Sequence, residues 1–265
     1  MTGVQTCALP IWEWGIAGIK FGFVGVGHQE ANRWIHEAVK KCADYNLIVN
    51  IHDNYRPTGL SRTYPNLLTQ EGIRGNEHMP TARHNCTLPF TRFPMGAGDA
   101  TICYYDARLK TTHAHQLAMA IIIYSPLQTV LWYDKPDDHQ GEAEIALFEQ
   151  LPTYWDETKV LLGVIGEYAL LARRKGQKWF VGGITNEHGR EITINCGFLA
   201  ESQYSATIFE DVLSPEDKLT NNIQIRNYSP RTRIRTGEVQ VSTHSKLHCR
   251  LQPAGGVAVI LTPKT

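Results

Sequence analysis

The chain has 265 residues, of which 42% are hydrophobic and 20% charged, so it can form one large domain or two smaller ones. Basic and acidic residues number 26 each, and a neutral chain without basic runs excludes the electrostatic footprint of a nucleic-acid-binding or membrane-surface protein. The longest apolar stretch, 117–124, is too short to span a bilayer, so the composition predicts a soluble protein.

The first eleven residues, MTGVQTCALPI, lack the charged region and the long apolar region of a secretory signal. They join abruptly to Trp12–Gly15, and these residues are predicted to lead into a strand. We therefore interpret residues 1–11 as a non-native join on a truncated gene. On this interpretation, the lack of a signal peptide indicates nothing about the compartment.

The next part of the chain alternates strand and helix. Gly18–Val24 is a short apolar run of strand length, and Gln29–Tyr45 places apolar residues at helical spacing. Leu47–His52 is a continuous apolar strand, so the unit predicts a parallel sheet covered by helices. Asp53–Pro80 is then expected to be a long polar loop, and a connection of that length is usually functional.

Further elements follow with weaker signals. Thr101–Tyr105 is a strand or an irregular segment, His113–Tyr124 a buried helix, Leu127–Tyr133 a strand and Gly141–Gln150 an amphipathic helix. From about residue 158 the pattern becomes all-β. The predicted strands there are Glu167–Ala172, Lys178–Ile184, Glu191–Asn195, Tyr204–Glu210, Arg231–Ile234, Glu238–Ser242 and Val257–Leu261. The sequence therefore predicts an α/β part followed by an all-β part.

The predicted loop after the second strand concentrates charge. It carries three carboxylates and three arginines, namely Asp53, Glu71, Glu77, Arg56, Arg62 and Arg74. Arginine forks can order such a loop, and carboxylates can act as acid, base or cation ligands. Charged loops are often merely solvated, but the length of this one and its position at a strand end favour a functional site.

Several longer sequence motifs lie in this loop and in the chain after it. Residues 52–66 read HDNYRPTGLSRTYPN and residues 70–77 read QEGIRGNE. Other runs are LPFTR at 88–92, YSPLQ at 124–128, WDETK at 155–159, IGEY at 165–168 and LARR at 171–174. Together they resemble glycoside hydrolase family 97, which contains α-glucosidases of starch-utilisation systems and related α-galactosidases. The resemblance runs from about Trp12 to Pro263.

The resemblance implies an architecture. Residues 12–153 would be the C-terminal portion of a (β/α)8 TIM barrel, and residues 154–265 an antiparallel β-sandwich domain. The N-terminal domain and the early barrel strands of the full-length protein would lie outside this chain, so activity of the fragment alone stays open. Family members imply a periplasmic or secreted location for the full-length protein.

The resemblance also assigns roles to carboxylates by position. Glu77 matches the general acid, which must be protonated at the working pH. Asp53 matches the carboxylate that serves inverting members as base and calcium ligand; those members usually carry Glu, so Asp53 is shorter by one methylene. Glu71 matches a second ligand of Ca²⁺ and Glu77 a third, and such hard oxygen ligands suit this ion.

The residues of the first predicted strand imply the stereochemical course of the reaction. Retaining members place an Asp nucleophile there in a Lys-x-Asp-Phe context, which reads KFGF at 20–23 in this chain. Gly22 offers no carboxylate to form a glycosyl-enzyme, so the resemblance implies inversion. Asp53 would then activate water at roughly 6.5–9.5 Å from the acid.

Other residues in this loop have both functional and structural interpretations. His52 is predicted to contact a sugar hydroxyl because it ends a strand. Arg56, Arg62 and Arg74 are expected to order the loop, with Arg62 also a candidate substrate ligand. An oligosaccharide is the expected partner. The alternatives left open are an α-galactosidase of the same family and a non-catalytic carbohydrate-binding or inactive fragment.

Overall fold

The computed structural model describes residues 3–52, 54–103, 106–212, 224–229 and 232–264. By its internal contacts the chain divides into two units. The first unit contains the described residues up to Gly75 together with Thr91–Ala100 and Ile123–Thr129. The second, β-rich unit contains Asn76–Phe90, Thr101–Ile122 and the described residues from Val130 onward.

The first unit is a parallel sheet packed against a helix. Its elements are α1 (Gly3–Glu13), β1 (Gly18–Phe21), α2 (Gln29–Asp44), β2 (Ile48–Ile51), α3 (Leu60–Thr63) and β3 (Leu67–Gln70). The three strands pair in parallel in the order β1–β2–β3. Ile35 and Val39 of α2 are fully buried in one core with Val49 and Ile51 of β2. The predicted strand–helix–strand unit is therefore confirmed.

The prediction of one long loop over residues 53–80 is wrong for the middle of this segment. β3 and the short helix α3 lie inside 53–80, and β3 pairs with β2. β3 has the sequence LLTQ, and its buried residues Thr69 and Gln70 are polar. A strand of four residues with polar side chains at buried positions lacks the apolar alternation by which a strand is predicted. Glu71 therefore follows a strand directly instead of lying within a loop.

The β-rich unit begins with helices and a short parallel pair. These elements are α4 (Ala82–Thr91), β4 (Ile102–Cys103), α5 (His113–Ile122), β5 (Val130–Leu131) and α6 (Ile145–Gln150). The later strands are β6 (Glu157–Val164), β7 (Tyr168–Lys175), β8 (Lys178–Thr185), β9 (Arg190–Asn195), β10 (Tyr204–Asp211), β11 (Gln224–Ser229), β12 (Ile234–Val241), β13 (Lys246–Leu251) and β14 (Gly256–Pro263).

Two antiparallel sheets form a sandwich in the described part of this unit. The larger sheet has the order β11–β12–β10–β14–β8–β7–β6, and β9 pairs with β13 in the smaller one. Their shared core is apolar and includes Val181, Ile194, Ile208, Leu247 and Val259. The predicted β-rich C-terminal part is therefore confirmed.

Helix α5 covers the other face of the large sheet, against β8 and β14. Glycines let its backbone approach the strands closely. A Cβ on Gly182 would lie 2.9 Å from the carbonyl oxygen of Ala118, and one on Gly256 would lie 2.6 Å from the Cα of His115. Side chains at these two positions would push the helix away from the sheet.

Several boundaries differ from the sequence prediction. The predicted strands 231–234 and 238–242 meet in the single strand β12, although residue 231 lies outside the described part. Strands β6, β11 and β13 and helix α4 were not predicted. Helix α1 extends through Trp12 and Glu13, where the approach to a strand was expected. The partial barrel, the domain boundary at 153–154 and the non-native join stay predictions. Among the described residues, no helix combines the length and apolarity needed to cross a membrane.

Candidate active site

Polar side chains meet at the carboxyl ends of β1, β2 and β3. Lys20 is in register with Asn50, and Asn50 with Thr69, so all three side chains lie on one face of the sheet. His52 and Glu71 follow the next strand ends, and their backbone N–H groups donate to the carbonyls of the neighbouring strands at 2.8 Å. This edge is where parallel α/β sheets carry their chemistry.

The Lys20 ammonium lies between two carboxylates. Its Nζ is 3.4 Å from Glu71 Oε1, 3.5 Å from Asp99 Oδ2 and 3.4 Å from the hydroxyl of Thr129. The side chain of Lys20 is 35% exposed, whereas those of Glu71 and Asp99 are 10% and 0% exposed. Lys20 therefore offers one positive charge at the surface edge of an otherwise buried acidic pair.

Asp99 has several hydrogen-bond donors around it. Its Oδ2 accepts from Asn50 Nδ2 at 2.9 Å and from Thr129 Oγ1 at 2.5 Å, and its Oδ1 accepts from the backbone N–H of Thr129 at 2.9 Å. The oxygens of a buried carboxylate need such hydrogen-bond partners. The sequence did not reveal Asp99, since it stands in a Gly-Ala-Gly-Asp loop without strand or helix pattern.

His52 is held by the same carboxylate as Lys20. Its Nε2 lies 3.0 Å from Glu71 Oε1, and its side chain is 17% exposed. The ring is therefore oriented by Glu71 and partly open to solvent. Its predicted contact with a sugar hydroxyl stays a prediction.

One buried arginine ties the end of β3 to the loop that carries Asp99. Arg92 donates to the backbone carbonyls of Gln70, Glu71 and Gly72 and to those of Gly96 and Ala97, at 2.8–3.3 Å. Burial lowers the pKa of Arg92 to about 10, so it stays charged at neutral pH. Arg92 stands in the LPFTR motif, but it was not identified as a site residue from the sequence.

The prediction that three arginines order the loop is wrong. The side chains of Arg56, Arg62 and Arg74 are exposed, and an exposed guanidinium holds a loop weakly. The loops after β2 and β3 are instead joined by close backbone packing. Gly72 has a φ of 52°, and a Cβ there would lie 2.4 Å from the carbonyl oxygen of Tyr55. The substrate role of Arg62 stays a prediction.

Tyr55 anchors the loop after β2. It is buried, and its hydroxyl lies 3.1 Å from His36 Nε2 of α2 and 3.2 Å from Thr58 Oγ1. Asp53, the predicted base two residues earlier, lies outside the described residues. The chain on both sides of this position is therefore fixed by β2 and by Tyr55.

Glu77, the predicted acid, lies in the β-rich unit. It is exposed, on a single 3₁₀ turn (Asn76–His78). The neighbouring Asn76 is buried, donates to the carbonyl of Thr101 at 2.9 Å and forms a two-way amide pair with Gln116 of α5. The charge of Glu77 also helps to raise the pKa of Cys103 to about 11, after burial and Asp106. Glu77 therefore stands on an anchored turn with its carboxylate open to solvent.

The described residues include no group of three or more His, Cys, Asp or Glu side chains placed to hold a metal ion. Glu71, a predicted ligand, contacts Lys20 and His52 in the structure. The structure therefore neither assembles nor tests the predicted calcium site.

Two family models match the chain. Residues 6–73 match one described as "Glycoside hydrolase 97", and residues 154–262 match one described as "Glycosyl-hydrolase 97 C-terminal, oligomerisation". Together they span about two thirds of the chain.

Curated relatives and solved structures point the same way. The chain is 36% identical over 220 residues to a "Retaining alpha-galactosidase" of Bacteroides thetaiotaomicron, covering 75% of this chain and 33% of that protein. It is 36% identical over 180 residues to a "Probable retaining alpha-galactosidase" of Streptomyces bingchenggensis, covering 66% of this chain and 28% of that protein. A glycoside hydrolase family 97 enzyme from Pseudoalteromonas sp. strain K8, solved with acarbose, superposes with a TM-score of 0.81 at 26% identity, covering 98% of this chain and 44% of that one. The chain thus spans a third or less of the curated relatives' length.

Proposed function

Because the chain belongs to glycoside hydrolase family 97, we propose that the full-length protein removes terminal α-linked glucose from oligosaccharides with inversion at the anomeric carbon. The observation that carries inversion is Gly22, which directly follows β1 and offers no carboxylate as nucleophile. A Cβ at this position would meet no described atom within 4 Å. The sequence therefore lacks the nucleophile at a place where a carboxylate would have had room.

Two carboxylates would share the proton transfers. Glu77 donates its proton to the glycosidic oxygen as the bond to the anomeric carbon breaks. Asp53 takes a proton from the water whose oxygen attacks that carbon from the opposite face. The exposure of Glu77 supports this role, since an acid must reach the leaving-group oxygen.

Substrate binding would fall to His52 and Arg62. His52 is oriented by Glu71 at a strand end and is partly exposed, which suits a hydrogen bond to a sugar hydroxyl. Arg62 is exposed on α3, in the loop after β2. The substrate is an oligosaccharide, and the proposed location of the full-length protein is the periplasm or the exterior.

Calcium is part of the proposal by donor chemistry. Asp53, Glu71 and Glu77 would hold it through hard carboxylate oxygens. Glu71 Oε1 lies 3.4 Å from the Lys20 ammonium, so calcium would have to displace or share this cation. When bound, the ion would supply a charge that orients sugar hydroxyls and the acid.

Terminal α-linked galactose is the second candidate substrate. It is supported by the two curated relatives, both at 36% identity and both named as retaining α-galactosidases. Gly22 argues against the retaining course in this chain, so substrate and stereochemistry need separate tests.

The decisive experiment uses the full-length protein with p-nitrophenyl α-glucoside and α-galactoside, with and without EDTA. NMR of the first-formed product anomer reports the stereochemistry. We expect the β-anomer of glucose and a loss of activity in EDTA. Formation of the α-anomer would overturn inversion, and faster release of galactose would favour the second candidate.

The acid is tested by Glu77→Gln on a natural disaccharide with a poor leaving group. We expect the rate to fall by about 10²–10⁴, because the leaving oxygen then lacks its proton donor. The matched control is Glu149→Gln, an exposed glutamate at the end of α6, which should keep the wild-type rate. Equal rates in the two variants would refute the assignment of Glu77.

A further inference from the structure

Glu77 has an exposed carboxylate on a turn of three residues, and a turn of this length has little rigidity of its own. The residue before it is buried instead. Asn76 is 2% exposed, and its backbone carbonyl accepts from the N–H of Met79 at 2.9 Å, which closes the turn. The groups that hold the side chain of Asn76 therefore also set where the carboxylate of Glu77 can reach.

Buried amides hold Asn76 in one orientation. Its Nδ2 donates to the Thr101 carbonyl at 2.9 Å, and because a carbonyl can only accept, this contact fixes which end of the Asn76 amide faces it. Asn76 Nδ2 also donates to Gln116 Oε1, and Gln116 Nε2 donates in return to Asn76 Oδ1 at 3.3 Å. Gln116 Nε2 has a second acceptor in Thr111 Oγ1 at 2.7 Å. Every amide hydrogen of the pair therefore has an acceptor.

The backbone of Thr101 shows that this arrangement is enforced. Thr101 is buried and has a φ of 52°, in the left-handed region that a β-branched residue rarely adopts. Strain of this kind persists only where the surrounding structure determines the conformation, and it is typical of functional sites. The carbonyl that receives the Asn76 amide is therefore itself held in place.

Gln116 stands on a rigid support. It is fully buried on α5, which packs on β8 and β14 of the large sheet. The neighbouring His115 is held by the same packing, since a Cβ on Gly256 would lie 2.6 Å from its Cα. The ring Nδ1 of His115 lies 3.2 Å from the carbonyl oxygen of Gly255. Helix α5 therefore presents Gln116 as a fixed point to the turn that carries Glu77.

We infer that Gln116 is a positioning residue that acts through Asn76 on Glu77. This inference rests on the proposed function, in which Glu77 is the general acid, and it requires neither calcium nor Asp53. A general acid must stand within hydrogen-bond reach of the leaving oxygen, and a displacement of about 1 Å can cost a factor of about 10² in rate. The amide pair keeps Glu77 within that reach and leaves its carboxylate exposed.

The test compares two substrates of the full-length protein that differ in their need for an acid, a natural disaccharide and the dinitrophenyl glycoside of the same sugar. Gln116→Met keeps the length of the side chain but removes its amide. We expect kcat/KM on the disaccharide to fall about 10–100-fold and kcat/KM on the dinitrophenyl glycoside to fall less than about threefold, because dinitrophenolate leaves without a proton. An equal loss on both substrates would overturn the inference.

Asn85→Leu is the matched control for simple destabilisation. It removes a buried amide that joins α4 to α5, where Asn85 Nδ2 lies 3.1 Å from Nε2 of His115, the residue next to Gln116. We expect the ratio of the two rates in this variant to stay within about twofold of the wild-type ratio, because general loosening of α5 affects both substrates alike. A selective loss on the disaccharide in Asn85→Leu would overturn the inference, since loosening of α5 would then explain the effect of Gln116→Met.

Failure of the proposed function has a different signature. If Glu77→Gln keeps the wild-type rate on the disaccharide, Glu77 is not the acid, and the inference falls with that assignment. If Glu77→Gln loses rate as expected, the double variant with Gln116→Met decides. Its disaccharide rate should lie within about twofold of that of Glu77→Gln alone, because Gln116 acts through an acid that is already lost. A further loss of about tenfold would show that Gln116 acts by another route and would overturn the inference.

Discussion

The candidate site of the first unit and the core of the sandwich bury different kinds of side chain. At the ends of β1–β3 the buried set is polar, with Asn50, Thr69 and Asp99 each at most 2% exposed. Between the two sheets of the sandwich the core is apolar, with residues such as Val181, Ile208 and Val259. Buried apolar surface needs only close packing, whereas each buried polar group needs a partner of correct geometry.

This difference predicts where each unit is vulnerable. In the first unit, stability at the site should depend on individual hydrogen bonds, and one lost donor should expose several unsatisfied acceptors. In the β-rich unit it should depend on the fit of surfaces, above all where α5 lies on the large sheet. Three substitutions test this contrast in turn, beginning with the largest expected effect.

Arg92→Ala should give the largest loss of stability. The substitution leaves up to five backbone carbonyls without their donor, and two or three buried acceptors at about 1–3 kcal/mol each suggest a loss of roughly 4 kcal/mol. Urea unfolding of the 265-residue chain measures the free energy of unfolding. Arg62→Ala is the matched control: its side chain is exposed, so it should change the free energy by less than about 0.5 kcal/mol.

Equal losses in the two arginine variants would show that Arg92 is not a clamp. Arg92→Lys should fall between them, because an ammonium has three donors where the guanidinium has five. Recovery of full stability by lysine would mean that charge alone, and not the fork of donors, holds the end of β3.

The sequence predicted the elements whose patterns are strong. The apolar spacing of α2 and the apolar run of β2 were found nearly to the residue, because burial of one helix face or a whole strand leaves a clear periodicity. β3 was missed because its buried residues Thr69 and Gln70 are polar. β13 could have been found, since KLHCRL alternates exposed and buried along its length.

The candidate site was predictable in part, for a physical reason. His52 was predicted at a strand end, and Glu71 was identified from the QEGIRGNE motif although the strand before it was missed. Lys20 was noted only as part of the KFGF motif, and Asn50 was not identified. Asp99 and Thr129 meet Lys20 across 79 and 109 residues of chain, in loops that carry no periodic pattern. Contacts at such separation depend on the tertiary fold and leave no local trace.

Asp211 is a buried carboxylate at the end of β10 in the β-rich unit, and it gives the next prediction. Burial raises its pKa to about 6, against hydrogen bonds from Thr112 and from the backbone of Gly256 and Ala114. Between pH 3.8 and 6 the folded state binds more protons than the unfolded state, so this group's contribution to stability falls as pH rises. The shift corresponds to roughly 3 kcal/mol.

The variant Asp211→Asn isolates the contribution of this carboxyl group to the free energy of unfolding. The stability of the variant relative to wild type should rise by roughly 1–3 kcal/mol between pH 4 and 7, measured by urea unfolding at each pH. The comparison with wild type is needed because His113 and His115, whose pKa values burial lowers to about 4, give the opposite slope. Exposed Glu201→Gln is the control. A difference that does not change with pH would mean that Asp211 is not buried as a raised-pKa acid.

Gly256→Ala gives the smallest of the three effects and tests the packing side of the contrast. The new Cβ would lie 2.6 Å from the Cα of His115 and 2.8 Å from the carbonyl oxygen of Ala114, so α5 must shift from the sheet. Overpacking of this kind costs typically 1–3 kcal/mol, and we expect about 2 kcal/mol. Gly25→Ala is the control, since no described atom lies within 4 Å of its Cβ and it lacks a positive φ. If the two variants are equally stable, the β-rich unit tolerates a shift of α5. Close packing of α5 on the large sheet would then not limit the stability of this unit, and the contrast with the first unit would fail.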